Sequence, residues 1–584
     1  MQVPPRIQAS SNNKPPLAFQ RLALRWPALR WLAPVLCLLP VVLYGWAFFK
    51  VAYNVNYIAY DDITILGVIP GFEEAAWPER WRRLTDLFPE HRLVFSRSLV
   101  LFFYQVLGRV DLVWLMVVGN LCWAGCAWLF YRVFRKLGLS LWYFVPVMWL
   151  WFQIQSFENI YWGVSSLCNF GVIFFALLAF YLATHHPRRL VAALLAAVAA
   201  TFTYGNGLMA FPVLAGLAWI TGRRKPFFIT VAVTAFIAFI YFIDFTPITQ
   251  SLSLSDSEQV QEGVAGFFGF IGSLATLWGY AAYTPYDYML PVAVVAGVVL
   301  VGLFLYIFRK QLASLFTSLW GKPVQLPAGA LFGLAIILFV VITAAAVIYK
   351  RIPTDSFEGM FKGRYRMYSA LWVVGVYLAA VSFYQLKDRV LVLLIPAAIL
   401  LNLVILFTNF APAVSNRRQA IAYEFNTRYN VDWLGLKMFD IDQVHFEQIR
   451  SYYGSDDPLA EGWNPRTLTD ALTCTGTRAV DTLFATNGGI TIQTSAPLLS
   501  STSSYTDGAY YILKSDRHVY ISSASQTAVP FQTFVRRFRY FSQHFTGYYD
   551  QATIEPGTYR LYLLVREGGN NRIYCTNRSW VETD

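Results

Sequence analysis

Asp61 and Asp62 stand side by side in the stretch Tyr60-Asp61-Asp62-Ile63-Thr64, roughly a dozen residues beyond a hydrophobic segment, 31–49. A carboxylate fixed within hydrogen-bond reach can take the proton from an attacking hydroxyl. A second carboxylate beside it can raise the basicity of the first or help bind a divalent cation such as Mg²⁺, Mn²⁺ or Ca²⁺. If the preceding segment spans a bilayer, both carboxylates lie at the membrane–water boundary, where a lipid-borne substrate would present its headgroup. The plainer alternative is a pair of solvated loop charges, or the negative partners of Arg80, Arg82 or Arg83.

The elements that must place this pair are membrane helices. Hydrophobic residues make up 56% of the chain and charged residues 14%, with 19 Trp, 35 Tyr and 47 Phe; the mean hydropathy is +0.45. A soluble fold could not hide so many long apolar runs. Residues 1–30 carry Arg6, Lys14, Arg21, Arg25 and Arg30 and no acidic residue. They lead into the first apolar run without a small-residue cleavage pattern, so that run is expected to be a retained helix with a cytoplasmic lead-in.

Keeping Lys- and Arg-rich loops in the cytoplasm gives about eleven crossings: 31–49, 112–134, 141–152, 167–183, 190–202, 208–220, 227–245, 291–308, 331–349, 371–384 and 390–407. The expected fold is a polytopic α-helical membrane protein with its N-terminus inside, a transmembrane domain at 31–408 and its C-terminus outside. Residues 267–283 are apolar enough to cross, but a crossing there would put Arg309 and Lys310 outside, so the stretch is expected to be re-entrant or interfacial. In the first outer loop, 50–111, residues 77–87 read as an amphipathic helix lying flat on the membrane and 94–107 as a second interfacial helix. Together they would form a lid over an outer cavity.

Residues 409–584 alternate polar and apolar positions rich in Thr, Ser, Tyr, Val and Gly, which predicts a mostly β soluble domain on the outer face, preceded by a short mixed segment. Cys474 and Cys575 fall in it and form a fair disulfide pair for an oxidising compartment. Cys37, Cys122, Cys126 and Cys168 sit in hydrophobic segments as small buried side chains. The net charge of +12 is spread over short cytoplasmic loops, where topology explains it, and no nucleic-acid motif accompanies it.

The acidic pair in the first loop, the interfacial helices after it, the many membrane helices and the outer C-terminal domain resemble the GT-C superfamily of integral-membrane glycosyltransferases. Pro89-Glu90-His91-Arg92, Phe157-Glu158-Asn159-Ile160-Tyr161-Trp162-Gly163, Tyr204-Gly205-Asn206-Gly207-Leu208-Met209-Ala210-Phe211-Pro212 and Lys362-Gly363-Arg364-Tyr365 are similar to segments of a broad group of bacterial members. The resemblance covers roughly residues 30–410. It implies a polyprenyl-phosphate-linked sugar donor and Asp61 or Asp62 as the base that activates the acceptor hydroxyl for direct, inverting attack. Asp61 is slightly favoured because it comes first and follows Tyr60.

The departing lipid phosphate then needs cations. Residues 350–366 hold Lys350, Arg351, Lys362, Arg364 and Arg366 in a loop read as outer, against the usual charge bias. Arg364, in the matching Gly-Arg-Tyr, is the first choice, since a guanidinium can grip phosphate through two hydrogen bonds; general attraction to anionic headgroups is the alternative. His91 and Arg92 form a second candidate pair. Glu90 is another acid near the donor or the ion-pair partner of Arg92. Glu158 and Asn159 could hold sugar hydroxyls beside the Trp162 ring, although aromatic residues there commonly anchor to the interface. Asn206 is a ligand or a helix-breaking turn.

The expectation is therefore a glycosyltransferase of the bacterial inner membrane, moving a sugar to a periplasmic glycan, lipopolysaccharide or protein, with any metal requirement left open at Asp61 and Asp62. A glycan polymerase or ligase using a polyprenyl-diphosphate donor would depend more on the outer arginines. A transporter or flippase of lipid-linked sugars would place ionisable groups near the membrane midplane.

Overall fold

A computed structural model describes residues 31–52, 56–58, 61–88, 90–245, 255–277, 286–319, 323–355, 357–384, 388–430, 443–454, 457–465, 472–486, 489–499 and 507–583. Among them, eight helices are long and apolar enough to cross a membrane: Leu32–Ala52, Leu112–Leu137, Gly163–His185, Arg224–Phe242, Met289–Phe316, Ala328–Asp355, Gly363–Phe383 and Arg389–Tyr429. Helices satisfy every backbone group internally, as a bilayer requires. Three further crossings expected from hydropathy are shorter apolar helices, Leu141–Trp151, Leu190–Thr203 and Gly205–Ile220, and Val94–Leu107 is a fourth helix of that kind.

Helix-end contacts sort the loops into two groups. In one, Lys136 Nζ lies 3.0 Å from His186 Nε2, Arg223 Nη1 donates to the Ala183 carbonyl at 3.2 Å, and Val324 N donates to Ile220 O at 2.8 Å. In the other, Asn159 Nδ2 donates to Arg364 O at 2.9 Å, Arg92 Nε to Tyr241 O at 2.9 Å and Asn206 Nδ2 to Tyr368 Oη at 2.6 Å. The first group contains the basic stretches 132–136, 188–189 and 223–225, and the second the acidic pair, the aromatic motifs and the cation-bearing stretch 350–366.

The stretch 267–283, read as re-entrant or interfacial, starts inside the helix Asp256–Gly272, which a capping box at Ser255 opens, and its residues 278–283 lie outside those described. Phe357 N donates to Glu262 Oε2 at 2.9 Å, and Asn409 Nδ2 donates to Leu277 O at 2.9 Å. Glu262 and Leu277 thus both meet the second group of loops. Gly272 and Gly297 let this helix lie directly against Tyr286–Leu319, because a Cβ on Gly272 would sit 1.9 Å from Ala293 O and one on Gly297 1.8 Å from Phe268 O. Close backbone approach at small residues is how membrane helices pack without a hydrophobic driving force.

The last apolar helix continues past the expected end of the membrane part. It runs unbroken from Asp388 to Asn430, 43 residues or about 65 Å, so the boundary placed at 408/409 falls inside it. The amphipathic helix of the first loop also stops earlier than residue 87. It spans Trp77–Thr85, and Leu87–Phe88 (β1) pairs with His91–Arg92 (β2) in a tight antiparallel hairpin.

The C-terminal part is β-rich. Gly476–Thr477 (β3), Thr482–Thr486 (β4), Gly489–Thr494 (β5), Gly508–Lys514 (β6), Val519–Ala524 (β7), Phe545–Asp550 (β8), Gly557–Glu567 (β9) and Asn570–Glu582 (β10) form a five-stranded sheet in the order β3-β10-β9-β6-β7 and a three-stranded sheet β4-β5-β8. Successive side chains of a strand face opposite ways, and β6 uses both faces. Tyr511 and Leu513 pack with Ile490 and Ile492 of the smaller sheet, whereas Tyr510 and Ile512 pack with Ile421 and Phe425 of the long helix. The extension beyond residue 408 is therefore the surface on which the larger sheet sits. A Cys474–Cys575 disulfide ties the chain before β3 to β10.

Candidate functional site

The two aspartates have different surroundings. Asp62 opens the short helix Asp62–Leu66 and is buried, and its Oδ1 accepts a 2.8 Å hydrogen bond from Val164 N. A Cβ on the adjacent Gly163 would lie 3.1 Å from the same oxygen. Asp62 thus fastens the first loop to the start of Gly163–His185, just before a π-helical turn at Ser166–Phe170. Asp61 is half-buried, and among the described residues its carboxylate makes no hydrogen bond or ion pair; its main-chain carbonyl accepts from Thr64 Oγ1 at 2.7 Å. Burial raises its pKa above the ordinary aspartate value, and the nearby Arg364 and Arg351 guanidiniums pull it back down. A carboxylate held in this way is available to take up a proton.

The cations divide similarly. Asp355 ties down two of them, with Lys362 Nζ at 2.6 Å and Arg351 Nη1 at 3.5 Å. Lys350 Nζ pairs with Glu90 at 2.5 Å, so the partner of Glu90 is Lys350 and not Arg92. Arg364 has no carboxylate within ion-pair distance among the described residues; its guanidinium carbon lies 5.5 Å from the Tyr365 ring centre. Its backbone is held on two sides, by Asn159 Nδ2 donating to Arg364 O at 2.9 Å and by Gly363 N donating to Glu158 Oε1 at 3.2 Å. Asn159 Oδ1 in turn accepts from Ser165 Oγ at 2.8 Å and Asn169 Nδ2 at 3.0 Å.

Glu158 and Asn159, expected to meet sugar, thus brace the loop that carries Arg364. Asn206 bonds Tyr368, and Trp162 is buried in the apolar cluster beneath the first loop. Arg366 is buried, with Nε donating to Phe361 O at 3.3 Å.

Arg92 leaves the candidate phosphate set. Its Nε donates to Tyr241 O at 2.9 Å, Nη1 to Thr85 O at 2.6 Å and Nη2 to Ile243 O. A cation on the terminal carbonyls of a helix is favoured by the helix dipole, and here it closes the end of Arg224–Phe242. His91, its neighbour on β2, lies against Tyr204 with ring centres 4.1 Å apart and ring planes tilted by 50°, and among the described residues its buried Nδ1 has no hydrogen-bond partner. Burial, followed by the charges of Arg351, Lys350 and Arg364, pushes the imidazole pKa down to about 3. His91 is therefore a neutral group at physiological pH.

Tyr204 and Tyr365 were not singled out from the sequence, where aromatic residues near a bilayer look like anchors. The Tyr204 hydroxyl feels Tyr365, Arg364 and Arg351, the last two of which also act on Asp61. The centre of the arrangement is thus Asp61, Arg364, Arg351, Tyr204, Tyr365 and neutral His91. Among the described residues no three His, Cys, Asp or Glu side chains gather as a metal site would need.

The carboxylate is further supported from the C-terminal part. Asn56 Nδ2 donates to Tyr453 O at 2.9 Å, Asn56 Oδ1 accepts from Leu112 N at 2.8 Å, and Val110 N donates to Tyr452 O at 2.8 Å. Tyr453 packs with Ile58, Ile63 and Leu66, while its hydroxyl donates to Glu424 Oε2 of the long helix at 2.9 Å. Comparisons with protein-family models, curated proteins and solved structures found no match for this chain.

Proposed function

We propose that this chain is a membrane glycosyltransferase that moves a sugar from a polyprenyl-phosphate donor to an acceptor hydroxyl at the periplasmic face of the bacterial inner membrane. The observation that carries the reading is Asp61, a half-buried carboxylate with no bonded partner among the described residues, held in the field of Arg364 and Arg351. Asp61 takes the acceptor proton as the acceptor oxygen attacks the anomeric carbon. The bond from that carbon to the phosphate oxygen breaks, the electron pair leaves with the lipid phosphate, and configuration inverts. Arg364, assisted by Arg351, neutralises the charge that develops on the leaving oxygen. The hydroxyls of Tyr204 and Tyr365 supply further hydrogen bonds there.

Eleven crossings with the N-terminus inside agree with this placement. The three short apolar helices each connect the two groups of loops, and in the group opposite Asp61 the stretches 132–136, 188–189 and 223–225 carry Lys and Arg without any acidic residue. The lipid tail of the donor then stays in the bilayer while its phosphate reaches the boundary.

The test is glycan and glycoprotein profiling of a deletion strain complemented with wild type, Asp61→Asn, Asp62→Asn or Arg364→Ala at matched membrane levels. Loss of one sugar with Asp61→Asn supports the reading and identifies the product. Full restoration by Asp61→Asn overturns it.

A further inference from the structure

One lobe of the C-terminal part stands apart from both sheets. Val529 N donates to Tyr540 O at 2.8 Å and Ala528 bridges Phe541, so the chain leaves and returns at one neck. Beyond the neck lies the helix Phe531–Arg537, in which no residue is buried. Phe531 is 64% exposed, Val535 51% and Phe538 88%, the last being the highest value among the exposed large hydrophobics described. Phe538 also adopts φ +48°, in the left-handed region that a bulky side chain rarely occupies. Arg536 and Arg537 are exposed beside it, and Arg539 is half-buried. Among the described residues the Arg536 and Arg537 guanidiniums make no hydrogen bond or ion pair, and Val535 and Phe538 stand exposed beside them.

The neck is fastened to the long helix at one height. Tyr540 Oη donates to Phe407 O at 2.6 Å and accepts from Ala411 N at 3.0 Å. The Phe531, Phe534 and Tyr540 rings lie 5.6, 5.4 and 5.4 Å from the Phe407 ring. Phe407 is the last residue of the apolar run 390–407, so the lobe sits where hydrocarbon gives way to headgroups.

We propose that residues 531–538 form a second membrane attachment, with Phe531, Val535 and Phe538 dipping into the leaflet nearest Phe407 and Arg536 and Arg537 meeting the phosphates of anionic lipids. Apolar side chains inserted to the acyl boundary and flanked by basic residues are how interfacial segments bind membranes. The attachment would hold the β-rich part against the bilayer on which the long helix stands. It does not depend on the reaction proposed above.

The experiment uses the full chain in lipid nanodiscs, with an environment-sensitive fluorophore on Phe538→Cys or Val535→Cys. Phe484→Cys, exposed on β4, serves as the control, and the unsubstituted protein corrects for labelling of its own cysteines. The expected result is quenching of both lobe probes by brominated lipids and several-fold protection from aqueous iodide relative to the control. Reversing Arg536 and Arg537 to Glu should abolish the stronger quenching expected in phosphatidylglycerol over phosphatidylcholine. Iodide access equal to that of the control, or protection without bromolipid quenching, which would indicate a protein contact, overturns the proposal. Quenching that is the same in both lipids and in the reversed variant overturns its anionic-lipid part.

Discussion

Replacing the two aspartates one at a time separates chemistry from architecture. Asp62 is fully buried and accepts a 2.8 Å hydrogen bond from Val164 N. Asp62→Asn keeps an oxygen there but exchanges a charge-assisted bond for a neutral one, a loss of about 1 kcal/mol. Asp62→Ala leaves the Val164 amide unpaired and costs about 1–3 kcal/mol. Among the described residues, the Asp61 carboxylate has no such bond to lose. Asp61→Asn preserves shape, removes the proposed base, and should slow transfer by about 10²–10⁴-fold.

Stability gives Asp61 an independent signature. Because its folded pKa is raised by burial, its contribution is fully present below the unfolded aspartate value, about 3.9, and is lost as pH rises through the folded pKa. At pH 7 the Asp61→Asn protein should therefore melt no lower than wild type, and the difference should vanish near pH 3. Transfer rates in nanodiscs with a lipid-linked sugar, paired with thermal melts at both pH values, make the comparison. Wild-type rates in Asp61→Asn, or an equal loss of rate in Asp62→Asn with unchanged melting, would refute the assignment.

Arg364→Ala should reduce transfer by about 10²–10³-fold, the usual loss for one donor to a developing oxyanion, and Arg364→Lys should restore little of it because an ammonium lacks the planar fork; steady-state rates at matched expression decide this. Gly205→Ala would place a Cβ 2.7 Å from both His91 Nδ1 and Tyr241 Oη, and overpacking of that kind should cost about 1–3 kcal/mol in a melting assay. With its folded pKa near 3, His91 contributes stability that is present above its unfolded pKa of about 6.5 and lost as pH falls toward 3, at up to about 1.4 kcal/mol per pH unit. His91→Gln should flatten that acid limb of the stability profile. Tyr453→Phe removes the hydroxyl from buried Glu424 and should lower stability by about 1–3 kcal/mol, with a smaller loss of transfer than Asp61→Asn.

Membrane helices were legible because a bilayer demands long apolar runs, and the hydropathy pattern carries that demand directly. The end of the last helix was not. Hydropathy stops at Phe407, yet the helix continues to Asn430 because its polar half packs under a sheet through Ile421 and Phe425 while burying Arg417 and Arg418. Within the site, the sequence displayed Asp61 and Asp62 as near equals. The amide that separates their roles belongs to Val164, 102 residues away. Arg92 and Arg364 are likewise one residue type, told apart by the carbonyls at Thr85, Tyr241 and Ile243 that take up the donors of Arg92. Residue type showed where chemistry could occur, but nonlocal backbone groups determine which side chains remain available for it.

The same logic gives the C-terminal part a role in holding Asp61. The loop before Asp61 is pinned at Asn56 to the carbonyl of Tyr453, and Tyr453 is pinned through its hydroxyl to Glu424. Glu424 is also held by Arg428 Nη2 at 3.2 Å, and Arg428 Nη1 reaches Asp457 at 3.5 Å. Buried charges persist only where they are paired, and breaking one pair leaves the other charge uncompensated. Any displacement of Gln443–Tyr453 would therefore disturb the long helix and the Asp61 loop together. The five-stranded sheet sits on that same helix and also packs against Tyr57 of the first loop. The position of the Asp61 carboxylate is thus set as much by residues 424–457 as by the first membrane helix that precedes it in the chain.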